Sequence, residues 1–245
     1  MISFSTPAFI LRSVDIGSVD RIYTLYTRDR GKIDVLAKGI RKADSKLQSS
    51  MQMAAVLEVY IIAQRRFTLG GSVIRDVYPD VLRSLPRSWV FQHALDVVNK
   101  ITRQEHPEKT LFDLLEIFLR EVHTEPAVRA ERLLYGTVSF DLHVLQILGH
   151  APLLGQDGQD TTSFALRSDG LHEHQAVRGQ PYRLISKEAR SLLRFAQQKN
   201  PSDCFRVAIT RSQAQQQREY MSILLEEYDA GSLQTDRALA DFFPK

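Results

Sequence analysis

Four cations fall within nine residues of the stretch AKGIRKADSKLQSSMQ: Lys38, Arg41, Lys42 and Lys46, set among Gly39, Asp44, Ser45 and Ser49. Glycine, serine and aspartate at this density mark a loop rather than a core segment. A loop so charged offers phosphates ion pairs that position a polyanion without reading its sequence. Arg28, Arg30 and Lys32 extend the basic run upstream, so that seven Lys/Arg face three Asp/Glu between residues 28 and 46, and Arg65 and Arg66 add two more cations beside Phe67. No amphipathic basic helix accompanies them, so the pattern suits a polyanion better than a membrane surface. Each turn cation taken singly reads equally well as solvated surface. Tyr23 and Tyr26 admit two readings: stacking on bases, as aromatics do on single-strand platforms, or packing against strand neighbours.

The histidines form no catalytic pattern. Asp141 and His143 are two apart on a helical stretch and do not share a face, while His172 and His174 flank Glu173 in a segment without period. No Ser/His/Asp order and no helix-borne His-Glu-x-x-His is present, and the Leu-Gly-Gly at 69–71 lacks the strand-to-helix context of a phosphate loop. The expectation is a protein that is not an enzyme. Cys204 is the single cysteine, which excludes an internal disulfide and any multi-thiolate zinc site and suits a reducing cytosol. A metal site would have to use Asp157, Asp160, His172 or His174, and a metal-dependent hydrolase built on these four is the weakest reading. No metal and no cofactor are expected.

The elements that must hold the cations are of two kinds. The first 80 residues carry 12 Lys/Arg against 8 Asp/Glu, whereas residues 81–245 carry 20 against 21, so the basic excess is local. Short runs rich in β-branched and aromatic residues occur at 8–14, 21–27, 32–38, 54–64 and 69–78, and Arg28–Gly31 joins the second and third as a hairpin. Ile33, Val35 and Ala37 alternate with polar residues, the period of a half-buried strand. Five antiparallel-looking strands in so short a span predict a small barrel of the OB kind.

After Pro79 the period becomes helical. Trp89, Ala94, Val97, Val98 and Ile101 share one side of a helix that opens near Pro86. Leu111, Leu115, Phe118 and Val122 form a stripe behind a Thr110-x-x-Asp113 capping box. The stretch from Leu133 to Leu148 is apolar nearly all round and stops at Gly149, which predicts the central helix of a bundle. Residues 150–184 show no period, and helical patterns resume near Ser186 and Ala214. The predicted fold is therefore α+β: an OB-fold barrel over 1–79, then a helical domain over 80–245 with an irregular, cysteine-free insertion at 150–184. The strongest apolar run, MAAVLEVYIIA, is broken by Glu58 and the chain opens without a basic, then apolar, leader, so a soluble, unexported protein is expected.

The succession GKIDVLAKGIRKADSKLQSSMQ (31–52), FTLGGSVIRDVYPDVLRSL (67–85) and SFDLHVLQILGHAPLL (139–154) resembles the bacterial recombination mediators of the RecO family over most of the chain. The basic loop is the most specific part, and the helix ending in Gly149-x-x-Pro152 supports it. The resemblance implies an OB domain fused to a helical domain, binding to single- and double-stranded DNA, strand annealing, and assistance in loading the recombinase RecA onto strands coated by single-strand-binding protein, together with a RecR partner. It implies a cytoplasmic protein at the nucleoid, with no membrane partner. The sequence departs from the family in two places. Two Cys-x-x-Cys pairs that many members carry after the Gly-x-x-Pro are missing, and Val138 and Ser139 stand where basic residues often precede Phe140 and Asp141. A competing reading is an interaction adaptor whose barrel docks a protein partner, with DNA contact incidental.

Overall fold

The computed structural model describes residues 2–124, 129–155, 164–167, 170–173 and 182–226. Two compact units are present, and they are not separated by one cut in the chain. The first comprises Met1–Ser84 with Ile101–His123, the second Leu85–Lys100 with Thr124–Lys245.

In the first unit, β1 (Ile2–Ile16), β2 (Asp20–Thr27), β3 (Gly31–Ala37), β4 (Ala55–Ala63) and β5 (Phe67–Val77) form a closed barrel in the order β1-β2-β3-β5-β4. β3 meets β5 in parallel through Val35 and Phe67, and through Leu36 and Thr68, whereas the other neighbours are antiparallel. This is the OB topology, and its one parallel seam departs from an all-antiparallel expectation. The alternation read in β3 is seen directly: Ile33, Val35 and Ala37 point inward with Leu25, Leu57, Val59 and Ile61. β1 begins six residues before the predicted run, because Ile2–Ala8 pairs with β4 while Ala8–Ile16 pairs with β2. Ser3, Ser5 and Pro7 leave that first half poorer in the β-branched and aromatic residues that mark a strand.

Two further elements complete this unit. The short α1 (Pro79–Arg83) follows β5, and α3 (Lys109–Thr124) buries Leu111, Leu115, Phe118 and Val122, the predicted stripe. The predicted capping box is not formed: Thr110 lies inside the first turn, the Phe112 N–H donates to Glu108 O, and the Asp113 carboxylate is turned to Arg28. Residues 104–112 lie along the outer side of β2 and β3. The Glu105 N–H donates to Lys32 O at 2.9 Å, the Tyr26 hydroxyl donates to Glu108 O at 3.3 Å, and Phe112 meets Phe9 and Tyr26 with ring centroids 4.9 and 6.5 Å away.

Gly31 is fixed by this approach. Its φ is +67°, and an added Cβ would stand 2.3 Å from the His106 carbonyl oxygen, which is backbone and cannot swing aside. Gly31→Ala combines left-handed strain with overpacking, each worth on the order of 1–3 kcal/mol. A loss of about 2–4 kcal/mol is expected in urea unfolding followed by circular dichroism; an unchanged midpoint would show that the 104–112 segment is not seated on the barrel.

The second unit contains α2 (Leu85–Ile101), α4 (Ala130–Ile147), α5 (Lys187–Gln198), α6 (Pro201–Cys204) and α7 (Arg211–Glu226). α4 is central, as its all-round apolarity predicts: Leu133 to Phe140, Leu142, Val144 and Leu145 are buried, and Gly136 leaves room for the Phe205 ring. The segment expected to be irregular contains, among its described residues, a three-stranded antiparallel sheet in the order β7-β6-β8, from β6 (Phe164–Arg167), β7 (Gly170–Glu173) and β8 (Arg183–Ile185). Strands of three or four residues are too short to display an alternation. Among the described residues no helix is long and apolar enough to cross a membrane.

Candidate nucleic-acid interface

The basic loop between β3 and β4 closes one end of the barrel. Ile40 and Met51 insert into the barrel core and Leu47 packs against it, which anchors the loop from within. Gly39, at φ +66°, turns the chain out of β3, and its N–H donates to Asp20 Oδ1 at 2.7 Å. The Arg41 N–H donates to Val19 O at 3.0 Å. With the apolar residues inside and the backbone tied to the β1–β2 turn, Lys38, Arg41, Lys42 and Lys46 are all turned to solvent.

The four are not equivalent. Arg41 is partly engaged: its Nε lies 3.4 Å from Asp15 Oδ2, and its Nη1 is 3.4 Å from Gly17 O. Arg21 donates from Nε to the other Asp15 oxygen at 2.6 Å. The Arg21 hydrogen bond, with the charges of Arg21 and Arg41 behind it, holds the Asp15 carboxyl below its ordinary value. Lys38, Lys42 and Lys46 have no ion pair among the described residues. Arg21 is a cation that sequence reading missed. The signal was topological: strands that alternate in direction send the β1–β2 turn and the β3–β4 loop to the same end of the barrel.

The remaining candidates emerge at the opposite end, with the β2–β3 and β4–β5 turns, so the nine cations do not form one patch. Arg28 is held in a two-pronged pair with Asp113, Nε to Oδ1 and Nη2 to Oδ2, both at 3.1 Å. Its guanidinium ties α3 to the barrel, a structural use. Arg30 lies over the Phe4 ring at 5.0 Å, and Phe4 meets Phe67 edge-on at 6.1 Å. Lys32 is half-buried beside residues 104 and 105, and burial pushes its ammonium below the usual lysine range. Arg65 and Arg66 are exposed at the β4–β5 turn.

Neither tyrosine offered for stacking is available. Tyr23 is 3% exposed and belongs to the barrel core, and Tyr26 is fully buried beneath residues 108–112. Burial pushes the Tyr26 hydroxyl well above its ordinary value. The same cover occupies the outer face of strands 2 and 3, the surface with which OB-folds ordinarily hold oligonucleotides. Thr24, farther along that face, bonds Asp34 at 2.6 Å, and Gln104 Nε2 reaches the other Asp34 oxygen at 3.3 Å.

Among the described residues no group of three His, Cys, Asp or Glu is placed to hold a metal. His172 lies in β7, while Asp157, Asp160 and His174 fall outside the described residues. Asp141, which the sequence offered only as half of a non-facing pair with His143, is fully buried and engaged elsewhere. His93 Nε2 lies 2.9 and 3.0 Å from its two oxygens, and Arg218 Nη1 donates to Oδ2. His143 Nδ1 instead meets the Ser139 carbonyl at 2.7 Å.

Comparison with known proteins agrees with this architecture. Residues 1–71 match the family model described as Recombination protein O N terminal, and residues 82–234 match Recombination protein O C terminal. The DNA repair protein RecO of Pelobacter propionicus is 28% identical over 149 residues, a match that takes in 60% of this chain and spans 58% of that protein, less than two thirds of its length. The DNA repair proteins RecO of Bacillus velezensis and Bacillus subtilis are 27% and 26% identical, each over 94% of this chain and 91% of their own. With both models matched in order over the barrel and over most of the helical residues, the chain belongs to the RecO family of DNA repair proteins.

Proposed function

We propose that this protein is a non-enzymatic DNA-binding mediator of recombinational repair, acting in the cytoplasm at the nucleoid. The observation that carries the reading is the anchored loop, whose core-seated Ile40 and Met51 hold Lys38, Lys42 and Lys46 in solvent. Lysines held outward on a fixed backbone meet phosphates without first giving up partners, and they do so irrespective of base sequence. Neutralising the backbones of two strands at one surface lowers their mutual repulsion, so that base pairing between them does the recognition. On this reading the protein binds single- and double-stranded DNA, anneals strands, and with RecR helps load RecA onto strands coated by single-strand-binding protein.

The adaptor reading is favoured by a different observation. Residues 104–112 cover the strand 2–3 face, and Arg28 is taken by Asp113, so part of the barrel's usual binding equipment serves its own chain. Titration of the whole protein against a short single strand and its duplex, in a salt series, separates the two. The mediator reading expects binding to both forms, weakening steeply with salt as counterions cease to be released favourably, and accelerated annealing of complementary strands. Binding absent at low salt would leave the adaptor.

A further inference from the structure

The outer face of β4 and β5 is built differently from that of β2 and β3. Tyr60 points outward from the middle of β4 and is 43% exposed. Its cross-strand neighbours are Ser5 on β1 and Gly71 on β5, both too small to cover a ring. Between Gly71 and Leu69 the register slips by one, which makes Gly70 the bulged residue. Gly70 does not have a positive φ, so conformation does not demand glycine there. Space does: an added Cβ would stand 2.7 Å from Tyr60 Cδ1 and 3.1 Å from Cε1. A glycine in a strand interior at such a bulge allows close approach, here by the aromatic ring. Ile62 flanks the same spot, and Val73, next along β5, is 67% exposed. Glu58, the acid on the same side of β4, lies 3.6 Å from Arg75 and is thereby countered.

We infer that Tyr60, lying against Gly70 with its other side open, is a base-stacking site for a single strand. The inference rests on the DNA-binding reading above and names the face a single strand follows. The surroundings argue for this occupant. β4 runs from the basic β3–β4 loop at one end to Arg65 and Arg66 at the other, nine residues at about 3.3 Å each, or roughly 30 Å. A strand laid along it has cations for its phosphates at both ends and, between them, an aromatic and aliphatic strip whose one acid, Glu58, is paired with Arg75. Arg65 and Arg66 have no ion pair among the described residues, so the charge at that end favours a polyanion over an apolar peptide. A duplex keeps its bases stacked on one another and offers Tyr60 nothing, so the site discriminates in favour of single strands.

The test uses the full chain, with Tyr60→Leu and Tyr60→Phe, and three probes: a short oligothymidine, an abasic strand of equal length, and a duplex. Stacking on an aromatic is worth on the order of a 5- to 100-fold change in affinity per base. Tyr60→Leu is expected to weaken oligothymidine binding by that factor at every salt concentration, leaving the slope of log K against log salt as it was. Abasic and duplex binding stay at wild-type strength, and Tyr60→Phe binds oligothymidine as the wild type does. Equal affinity of Tyr60→Leu and wild type for oligothymidine would overturn the site alone. Equal weakening on the abasic strand would overturn it too, by showing a contact to the backbone. A wild-type protein that binds none of the probes would overturn the DNA-binding reading and the site with it.

Discussion

Replacing Lys38, Lys42 and Lys46 together by alanine is expected to flatten the plot of log K against log salt by about 2 for single-stranded DNA, at roughly 0.7 for each phosphate that the variant no longer neutralises. Because the wild-type and variant lines converge toward high salt, the affinity difference is largest at low salt, on the order of two to three decades near 50 mM. The loss falls alike on unrelated sequences, since phosphates are what the lysines meet, and strand annealing falls with it. Arg41 is left in place: it is tied to Asp15 and Gly17, and removing it would loosen the loop as well as discharge it. The three lysines are exposed and the core residues that seat the loop are untouched, so the variant folds. An unchanged slope would assign the lysines to solvated surface and give the case to the adaptor. The slope also separates this set from Tyr60, whose loss lowers affinity without altering it.

How far the sequence carried this site follows from how local each determinant is. The basic loop was legible because charge density and loop-forming residues lie together within a few positions. The barrel was legible from strand period, and the inward set Ile33, Val35 and Ala37 from alternation within one strand. What period cannot supply is what lies on the far side of a strand. Tyr26 points away from the barrel core and looked available, but its cover comes from residues more than 80 positions later. Tyr60 was not singled out by its own strand pattern, because its exposure depends on Ser5, Gly70 and Gly71 from two other strands. Arg28 belonged to the same basic run as Lys38, yet Asp113 claims it from α3. The split of the cations between the two barrel ends was implicit in the strand directions, and required the strand order to be read off first.

Replacing Asp141 is expected to destabilise the second unit strongly. A fully buried carboxylate on an otherwise apolar helix must be satisfied, and it is, by His93 from α2 and Arg218 from α7, 48 and 77 residues away in sequence. Burial alone would push the Asp141 carboxyl up, but the charges of His93 and Arg218 and the hydrogen bonds they donate outweigh it and hold the group below its ordinary value. Asp141→Asn keeps the shape and removes the negative charge that faces both His93 and the buried Arg218 guanidinium. Breaking one side of a buried pair costs about 3–5 kcal/mol, a large part of the stability of most domains. Trp89, the single tryptophan of the chain, is stacked on His93 with ring centroids 5.6 Å apart, so its fluorescence in urea reports on this network directly. Because the folded carboxyl ionises more readily than the unfolded one, its contribution is fully present above the unfolded value of about 3.9 and disappears as pH falls through the lower folded value. The gap in urea midpoint between wild type and Asp141→Asn is therefore expected to be widest at neutral pH and to narrow on acidification below about pH 4. A gap under ~1 kcal/mol at neutral pH, or one that stays constant into acid, would show that the three side chains do not act as a charged network; replacing all three with apolar residues of similar volume is expected to recover most of the loss, as it does where a buried ion cluster gives way to packing.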